Sequence, residues 1–189
     1  MTETNEEIIW GPSLETALEQ AKTEKKPAMV FFHRENCSGC TKFEALTYTD
    51  PTVITTINQY FIATKVDIKK EIEITQQYQA FWTPSIGILT GNGLLVYRNE
   101  GWLPPPEFTT TLLLARGYFF HRTKRQGQAA FAFSDLVTTY PSSPFAPEAQ
   151  YMLGVCAYLD GLPEEQEEAF RLLIGWYPSS LWAVKARGI

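Results

Sequence analysis

The sequence has few cysteines, no long hydrophobic segment and no excess of positive charge, and each absence excludes a class of protein. Three cysteines in 189 residues are too few, and odd in number, for a small secreted fold held together by disulfides. No apolar run approaches the ~18–20 residues that a membrane-spanning helix needs. The formal net charge is −5, so the chain has no general attraction to nucleic acid or to anionic lipid. We therefore expect neither a nucleic acid nor a membrane as a partner.

The N-terminus indicates where the protein is expected to act. Residues 1–7 are polar and acidic, and no apolar core of signal-peptide length follows them. This predicts a cytoplasmic protein, in a compartment where cysteine pairs are kept reduced. If the natural N-terminus were missing from this sequence, a periplasmic location would be expected instead.

Residues 1–106 alternate between apolar runs and amphipathic stretches, as strands and helices do. Residues 28–32 form a continuous apolar run, typical of a strand buried on both faces, and residues 61–67 predict a second central strand. Residues 86–89 and 94–97 flank a Gly-Asn-Gly turn and predict an antiparallel hairpin. Helices are predicted after Ser13, over 41–48, from Pro51 to about 58 and over 71–81. The order αβααβαββα indicates an α/β fold with a central mixed sheet flanked by helices.

Residues 107–189 are predicted to be all helical, and they repeat. A shift of 37 residues aligns ten identical pairs: Gly117/Gly154, Ala132/Ala169, Phe133/Phe170, Leu136/Leu173, Tyr140/Tyr177, Pro141/Pro178, Ser142/Ser179, Ser143/Ser180, Ala146/Ala183 and Ala149/Ala186. A fixed period of this length is typical of helical solenoids, in which neighbouring hairpins bury their apolar faces against each other. The region resembles tetratricopeptide-type (TPR) repeats, which implies a surface that binds an unknown protein partner.

The number of repeats predicts how this region is anchored. Two helical hairpins and a short last helix are fewer than the about three units that an independent solenoid needs. Residues 104–106 are three consecutive prolines, which exclude regular structure before the next helix. We therefore predict a domain over 1–106, a repeat region over 107–189, and a helix at 107–121 that both share.

Two of the cysteines lie directly after the first buried strand, in the sequence Cys37-Ser38-Gly39-Cys40. Because a helix is predicted next, the first sulfur lies at a helix N-terminus, where unpaired N–H groups and the helix dipole favour a thiolate. The pKa values of such thiols fall to about 3.5–7.5. Cys40, one turn further on, is placed to attack a mixed disulfide. This geometry predicts Cys37 as the exposed attacking thiol and Cys40 as the resolving thiol.

These residues resemble the thioredoxin-fold family, and the resemblance extends from about Ile9 to Gly117. Cys37 and Cys40 match the redox pair of that family, and Thr83-Pro84 matches the residue and cis-proline beside it. The stretch around Trp10 is similar to the branch of the family related to bacterial disulfide-reductase domains.

The resemblance implies a site and its partners. Cys37 and Cys40 would be catalytic, and Ser38, Gly39 and the Thr83-Pro84 pair would bind the substrate backbone. No cofactor is implied beyond the redox-active Cys37–Cys40 disulfide, and no metal. The implied partners are protein disulfides and an electron donor of the thioredoxin-reductase type.

The sequence departs from the thioredoxin pattern at two places. Typical thioredoxins have a buried Asp six residues before the first cysteine, where this chain has Phe31. They also have Trp-Cys-Gly-Pro-Cys, whereas this chain has Asn before Cys37 and no proline between the cysteines. The redox potential of the family therefore does not carry over. Lys65 and Glu35 are the plausible charged neighbours of the pair, and the sequence leaves open which of them, if either, approaches the sulfurs.

Other interpretations of the same residues remain open. A zinc site needs four ligands, and beyond the cysteine pair the candidates are Cys156, His33 and His121. Cys156 is predicted to be a buried, inert thiol, since small and apolar residues surround it in sequence. His33 either promotes the thiolate when protonated or is an exposed bystander. A further alternative is a structural or vestigial cysteine pair, in a protein that folds but does not catalyse disulfide exchange.

The sequence thus predicts a thiol–disulfide oxidoreductase that works in the reductase direction, with helical repeats that bind a protein partner. The alternative is a TPR-type adaptor or redox sensor whose thioredoxin-like half is mainly a scaffold.

Overall fold

The computed structural model describes residues 7–188, in which strands and helices alternate up to residue 122 and helices follow. The elements in chain order are β1 (Trp10–Gly11), α1 (Leu14–Glu24), β2 (Ala28–His33), α2 (Ser38–Lys42), a π-helical turn (Phe43–Thr47), α3 (Pro51–Tyr60), β3 (Ile62–Asp67), α4 (Ile72–Gln77), β4 (Ser85–Leu89), β5 (Leu95–Glu100), α5 (Pro105–Arg122), α6 (Gln126–Thr139), α7 (Ala146–Leu159), α8 (Pro163–Trp176) and α9 (Leu181–Ala186). No helix in this part of the chain is long and apolar enough to cross a membrane.

The five strands form one mixed sheet in the order β1-β3-β2-β4-β5. The strand that precedes the cysteine pair, β2, lies at its centre, parallel to β3 and antiparallel to β4. Residues 28–32 of this strand are all fully buried, which confirms the prediction of a strand covered on both faces. The predicted thioredoxin-type α/β fold with an all-helical extension is confirmed.

The two faces of β2 pack into different cores. Val30 and Phe32 belong to an apolar core with Ala17 and Ala21 of α1. Phe31, which points to the opposite face because side chains alternate along a strand, packs among aromatic rings instead. The sheet therefore has a largely aliphatic layer that includes Phe32 and Tyr78 on one side, and an aromatic layer on the other.

Local signals in the sequence place several helix ends correctly. The Ser13 hydroxyl accepts the N–H of Thr16 at the start of α1. The carboxylate of Asp50 accepts the N–H groups of Thr52 and Val53 at the start of α3. Each bond satisfies a donor that the first turn of a helix leaves unpaired.

Other element ends differ from the predictions. The helix predicted over 71–81 ends at Gln77, because Gln79 adopts a left-handed conformation with φ of 51°. The helix α5 includes Pro105, since the first turn of a helix tolerates prolines whose N–H groups would be unpaired anyway. The two-residue strand β1 is too short to produce an alternating pattern in the sequence.

The chain divides into two compact units, one up to Leu112 and one from Leu113 onward. The division lies within α5, whereas the sequence placed the domain limit at 106 and a shared helix at 107–121. The sharing of this helix stays a prediction. We refer to residues 113–188 below as the helical unit.

The 37-residue repeat corresponds to repeated contacts within the helical unit. A Cβ at Gly117 would collide with the ring of Phe133, and a Cβ at Gly154 would collide with the ring of Phe170. The N–H of Tyr140 donates to Leu136 and that of Tyr177 donates to Leu173, so both turns end their helix with the same hydrogen bond. Equivalent residues therefore make equivalent contacts in the two hairpins.

Candidate active site

The cysteine pair lies between β2 and α2, at the centre of one edge of the sheet. The chain leaves β2 at His33, and Cys37 is the N-cap residue of α2. The N–H of Cys40 donates to the Cys37 sulfur at 3.2 Å, and the N–H of Thr41 donates to the Cys37 carbonyl at 3.0 Å. The sequence placed the start of this helix at 41; it begins at Ser38, because the Cys37 sulfur itself caps the first turn.

Cys37 and Cys40 form a disulfide, with 5.2 Å between their Cα atoms. The expectation that Cys37 is exposed does not hold for this oxidised pair, since Cys37 is 6% and Cys40 5% exposed. What distinguishes the two sulfurs is their surroundings. Cys37 lines an open cleft together with Ser38 and Gly39, whereas Cys40 is not among the residues of its lining.

Gly39 brings the cysteine pair against Pro84. The peptide bond between Thr83 and Pro84 is cis. A Cβ placed on Gly39 would lie 2.6 Å from the Cδ atom of Pro84, far closer than two carbon atoms can approach without displacement. The structure thus brings together Cys37, Cys40 and the Thr83-Pro84 pair, as the sequence predicted.

The position of Pro84 is fixed from the other side by the hairpin. The N–H of Gly101 donates to the Pro84 carbonyl at 2.8 Å, and Gly101 has a φ of 87°. This left-handed conformation is readily available to glycine. The end of β5 therefore holds the segment that faces the cysteines.

Three loops form the cleft, and the strand order explains why they meet. Because β2 and β3 are parallel, their carboxyl ends lie at the same edge of the sheet, and the antiparallel β4 begins there. The order β3-β2-β4 places the loop of the cysteines in the middle. The cleft, of about 370 Å³, is lined by Arg34 and residues 36–39 from the middle loop, Ile68 and Lys69 after β3, and residues 81–83 before β4. We call it the dithiol cleft.

Two aromatic residues of the dithiol cleft were not singled out in the sequence. Phe81 is 68% exposed and Trp82 is 66% exposed, although both are large and apolar. They directly precede the Thr83-Pro84 pair, and the helix predicted over 71–81 had included Phe81. The available signal was two large aromatic residues in a row, next to a predicted substrate-binding pair.

The residue that replaces the usual buried aspartate lies in an aromatic cluster. Phe31 is fully buried, and its ring centroid is 5.6 Å from that of Phe43 and 5.2 Å from that of Tyr48. It also stacks on His33 at 5.5 Å, which is not in the lining of the dithiol cleft. Burial, with a smaller effect of the Glu44 charge, raises the pKa of Tyr48 well above its usual value. No carboxylate is part of this cluster among the described residues.

The charged residues named from the sequence are engaged in ion pairs. Lys65 binds Glu44 at 3.0 Å, and its amino group lies 4.8 Å from the centroid of the Trp10 ring. Glu35 lies 3.8 Å from Lys70. Neither Lys65 nor Glu35 lines the dithiol cleft.

The third cysteine is separate from this site. Cys156 lies in α7 and is 1% exposed. Burial, together with the negative charge of Asp160, raises the pKa of its thiol to about 11. The expectation of a buried, inert thiol is consistent with both observations. Within residues 7–188, no group of three or more His, Cys, Asp or Glu side chains is arranged to hold a metal ion.

Comparison with known proteins identifies a family for the N-terminal part. The model of the thioredoxin-like domain matches residues 14–116. Thiol:disulfide interchange protein DsbD of Vibrio vulnificus, in each of two strains, is 32% identical to this chain over 84 residues. The match covers 42% of this chain and 14% of DsbD, so the chain spans a small part of the length of these relatives.

Solved structures support the same fold. DsbH oxidoreductase superimposes with a TM-score of 0.54 at 18% identity, over 61% of this chain and 88% of its own. A thioredoxin from Thermus thermophilus gives a TM-score of 0.51 at 27% identity, over 56% of this chain and 85% of its own.

Proposed function

This chain belongs to the thioredoxin-like domain family, and from this we propose that it catalyses thiol–disulfide exchange, in the reductive direction, on disulfides of other proteins. The observation that carries the proposal is the placement of Cys37, which caps α2 and lines the dithiol cleft beside Thr83. A sulfur at a helix N-terminus is favoured as a thiolate. The cleft gives a substrate disulfide access to it.

The reaction has two exchange steps. In the reduced protein, the Cys37 thiolate attacks one sulfur of the substrate disulfide; a Cys37–substrate bond forms, the substrate S–S bond breaks, and the second substrate sulfur leaves as a thiolate that takes a proton from water. Cys40 then gives its proton to water and attacks the Cys37 sulfur; the Cys37–Cys40 bond forms, the Cys37–substrate bond breaks, and the first substrate sulfur leaves as a thiolate that takes a proton from water. The substrate gains two electrons and the cysteine pair loses two. A dithiol reductant, supplied by a donor of the thioredoxin-reductase type, restores the pair.

Trapping the mixed disulfide tests the assigned order of attack. The Cys40→Ser variant should react with a peptide disulfide and retain half of it covalently at Cys37, visible by mass and released by dithiothreitol. The Cys37→Ser variant should retain nothing and should not reduce insulin. Cys156→Ser is the matched control and should reduce insulin at the wild-type rate. Equal trapping by both single variants would contradict the assigned roles.

The helical unit is proposed to bind a protein partner. A groove of about 430 Å³ between α6, α7 and α8 is lined by apolar side chains, among them Val137, Leu153 and Trp176, and by polar ones that include three glutamates; Trp176 is 57% exposed. Exposed apolar surface of this kind is typical of interaction sites. This groove also supports the alternative, an adaptor whose cysteines do not turn over. Insulin reduction separates the two, since an adaptor would show no rate above that of dithiothreitol alone.

The compartment is part of the proposal. In a cytoplasm the Cys37–Cys40 pair would rest as a dithiol. Cells quenched with acid and then alkylated should yield protein with both cysteines labelled. A resting disulfide would place the chain in an oxidising compartment instead.

A further inference from the structure

The dithiol cleft is chemically different on its two sides. In the order β3-β2-β4, the loop after β3 contributes Lys69 on one side of the cysteine pair, and the segment before β4 contributes Phe81 and Trp82 on the other. Arg34 joins from the middle loop. A substrate that crosses this edge of the sheet therefore meets Lys69 on one side of the cysteine pair, aromatic rings on the other, and Arg34 on the middle loop between them.

The two cations face the cleft without a competing acid in its lining. Arg34 and Lys69 are the charged side chains among the described residues that line it, and both are exposed. The nearby carboxylates of Glu35 and Asp67 lie 3.8 Å and 3.4 Å from Lys70, which is not in the lining. Arg34 and Lys69 take part in no ion pair within residues 7–188. A cleft with one sign of charge concentrates groups of the opposite sign.

The aromatic side offers apolar area that the protein itself does not bury. Phe81 and Trp82 are each about two-thirds exposed, whereas Tyr78, one turn earlier, is buried in the core with its hydroxyl bonded to the Gly93 carbonyl. Exposed neighbouring aromatic rings next to a reactive group are typical of a contact surface for a partner chain.

We propose that the dithiol cleft selects polypeptide disulfides in which one cysteine has an acidic side chain on one flank and an aromatic or large aliphatic side chain on the other. The acidic group would lie towards Lys69 and Arg34, and the apolar group would lie against Phe81 and Trp82. This inference rests on the proposed thiol–disulfide exchange and adds the sequence preference of its substrate.

The test uses the reduced full-length protein and symmetric disulfides of short synthetic peptides. The peptides carry Glu-Cys-Phe, the reverse Phe-Cys-Glu, and versions with Lys for Glu or Ser for Phe. The measured quantity is the second-order rate constant of peptide reduction, and hydroxyethyl disulfide serves as a substrate without flanking residues. At least one of the two peptides, Glu-Cys-Phe or Phe-Cys-Glu, should be reduced roughly tenfold faster at low salt than the same peptide with Lys in place of Glu. That ratio should approach one at about 0.5 M salt, where charges on the surface are screened.

Paired variants assign each preference to its side of the cleft. The double variant Arg34→Gln/Lys69→Gln should lose the preference for Glu over Lys and keep that for Phe over Ser. The double variant Phe81→Ser/Trp82→Ser should show the opposite pattern. Because both preferences are ratios within one variant, a general change in turnover does not affect them. Arg122→Gln and Leu94→Ser, which change an exposed cation and an exposed apolar residue outside the cleft, are the matched controls and should keep both ratios.

The outcomes separate this inference from the function on which it rests. A wild-type protein that reduces hydroxyethyl disulfide but treats Glu and Lys peptides alike overturns the inference and leaves the exchange reaction intact. A preference that survives the matching double variant also overturns it. A protein that reduces neither hydroxyethyl disulfide nor any peptide refutes the exchange reaction itself.

Discussion

Phe31 stands six residues before Cys37, where typical thioredoxins have an aspartate, and its burial among aromatic rings has a measurable consequence for stability. Phe31→Asp should lower the free energy of unfolding by about 3–5 kcal/mol, because it removes the contacts of a fully buried ring and places a carboxyl in the cavity. Phe31→Leu, the matched control, also leaves a small cavity but keeps the site apolar, so it should cost less than Phe31→Asp. Urea unfolding measures both. Equal losses for the two variants would show that the carboxyl is not desolvated.

The same variant has a predicted pH dependence. Burial raises the pKa of a carboxyl above its unfolded value. Folded Phe31→Asp then binds more protons than the unfolded chain, so its stability falls as the pH rises through the interval between the two pKa values. The loss relative to wild type should therefore be smaller at pH 4 than at pH 7.

Gly39 sets the distance between the cysteine pair and Pro84. Gly39→Ala places a methyl group against the Pro84 ring, so either the loop or the ring must move. We expect a loss of about 1–3 kcal/mol in unfolding free energy and slower reduction of insulin. Ser38→Ala, at the adjacent exposed position, should change stability by less than about 0.5 kcal/mol. A Gly39→Ala protein as stable and active as wild type would show that the close approach is not required.

At the scale of elements, the helical hairpins depend on glycines that admit an aromatic ring. Gly154→Ala should destabilise the protein by about 1–3 kcal/mol, because the added methyl group collides with the ring of Phe170. Gly175→Ala is the matched control, since it lies in α8 with nothing within 4 Å of the added Cβ. It should stabilise the helix by up to about 1 kcal/mol. Thermal or urea unfolding followed by circular dichroism measures both. If Gly175→Ala destabilised the protein as well, the loss at Gly154 could not be assigned to the collision with the Phe170 ring.

The repeat also explains why the turn residues recur as a group. The Tyr177 hydroxyl donates to the Pro141 carbonyl at 2.9 Å, so the second turn is bonded to the first. Ser180 then caps α9 by accepting the N–H of Ala183. In the first turn the equivalent Ser143 accepts the N–H of Phe145 and does not cap α7, so the two turns end their helices alike but begin the next ones differently.

At the scale of the whole molecule, the predicted sharing of the helix at 107–121 has a consequence for cooperativity. If the two units share this helix, the full chain should unfold in one transition, and Phe31→Leu and Gly154→Ala should each shift its midpoint. Near-ultraviolet and far-ultraviolet circular dichroism recorded on the same samples provide two probes. Two transitions, each sensitive to one variant, would show that the units unfold independently.

Local patterns were sufficient to predict most of the fold and to single out the cysteine pair, which forms a disulfide in the structure. The continuous apolar run in β2, the capping residues Ser13 and Asp50, and the 37-residue period each report on neighbours along the chain, and each is confirmed in its own segment. Cys37 and Cys40 were identified because a helix N-terminus directly after a buried strand has the same electrostatics in any fold. The strand run, the caps and the helix N-terminus depend on backbone geometry within a few residues, and the repeat depends on the same local contacts recurring 37 residues later.

The tertiary structure decided what surrounds the reactive pair. The strand order β3-β2-β4 brings Lys69 and the rings of Phe81 and Trp82 to opposite sides of Cys37, although these residues are more than 30 positions away in sequence. It also buries the Phe31 ring among distant aromatic residues and brings Gly39 against Pro84. Strand order and close approach depend on which elements pack together, and packing free energy is summed over the whole core rather than encoded in one segment. For that reason the sequence alone predicts the chemistry of the pair, and the assembled sheet determines which residues surround it.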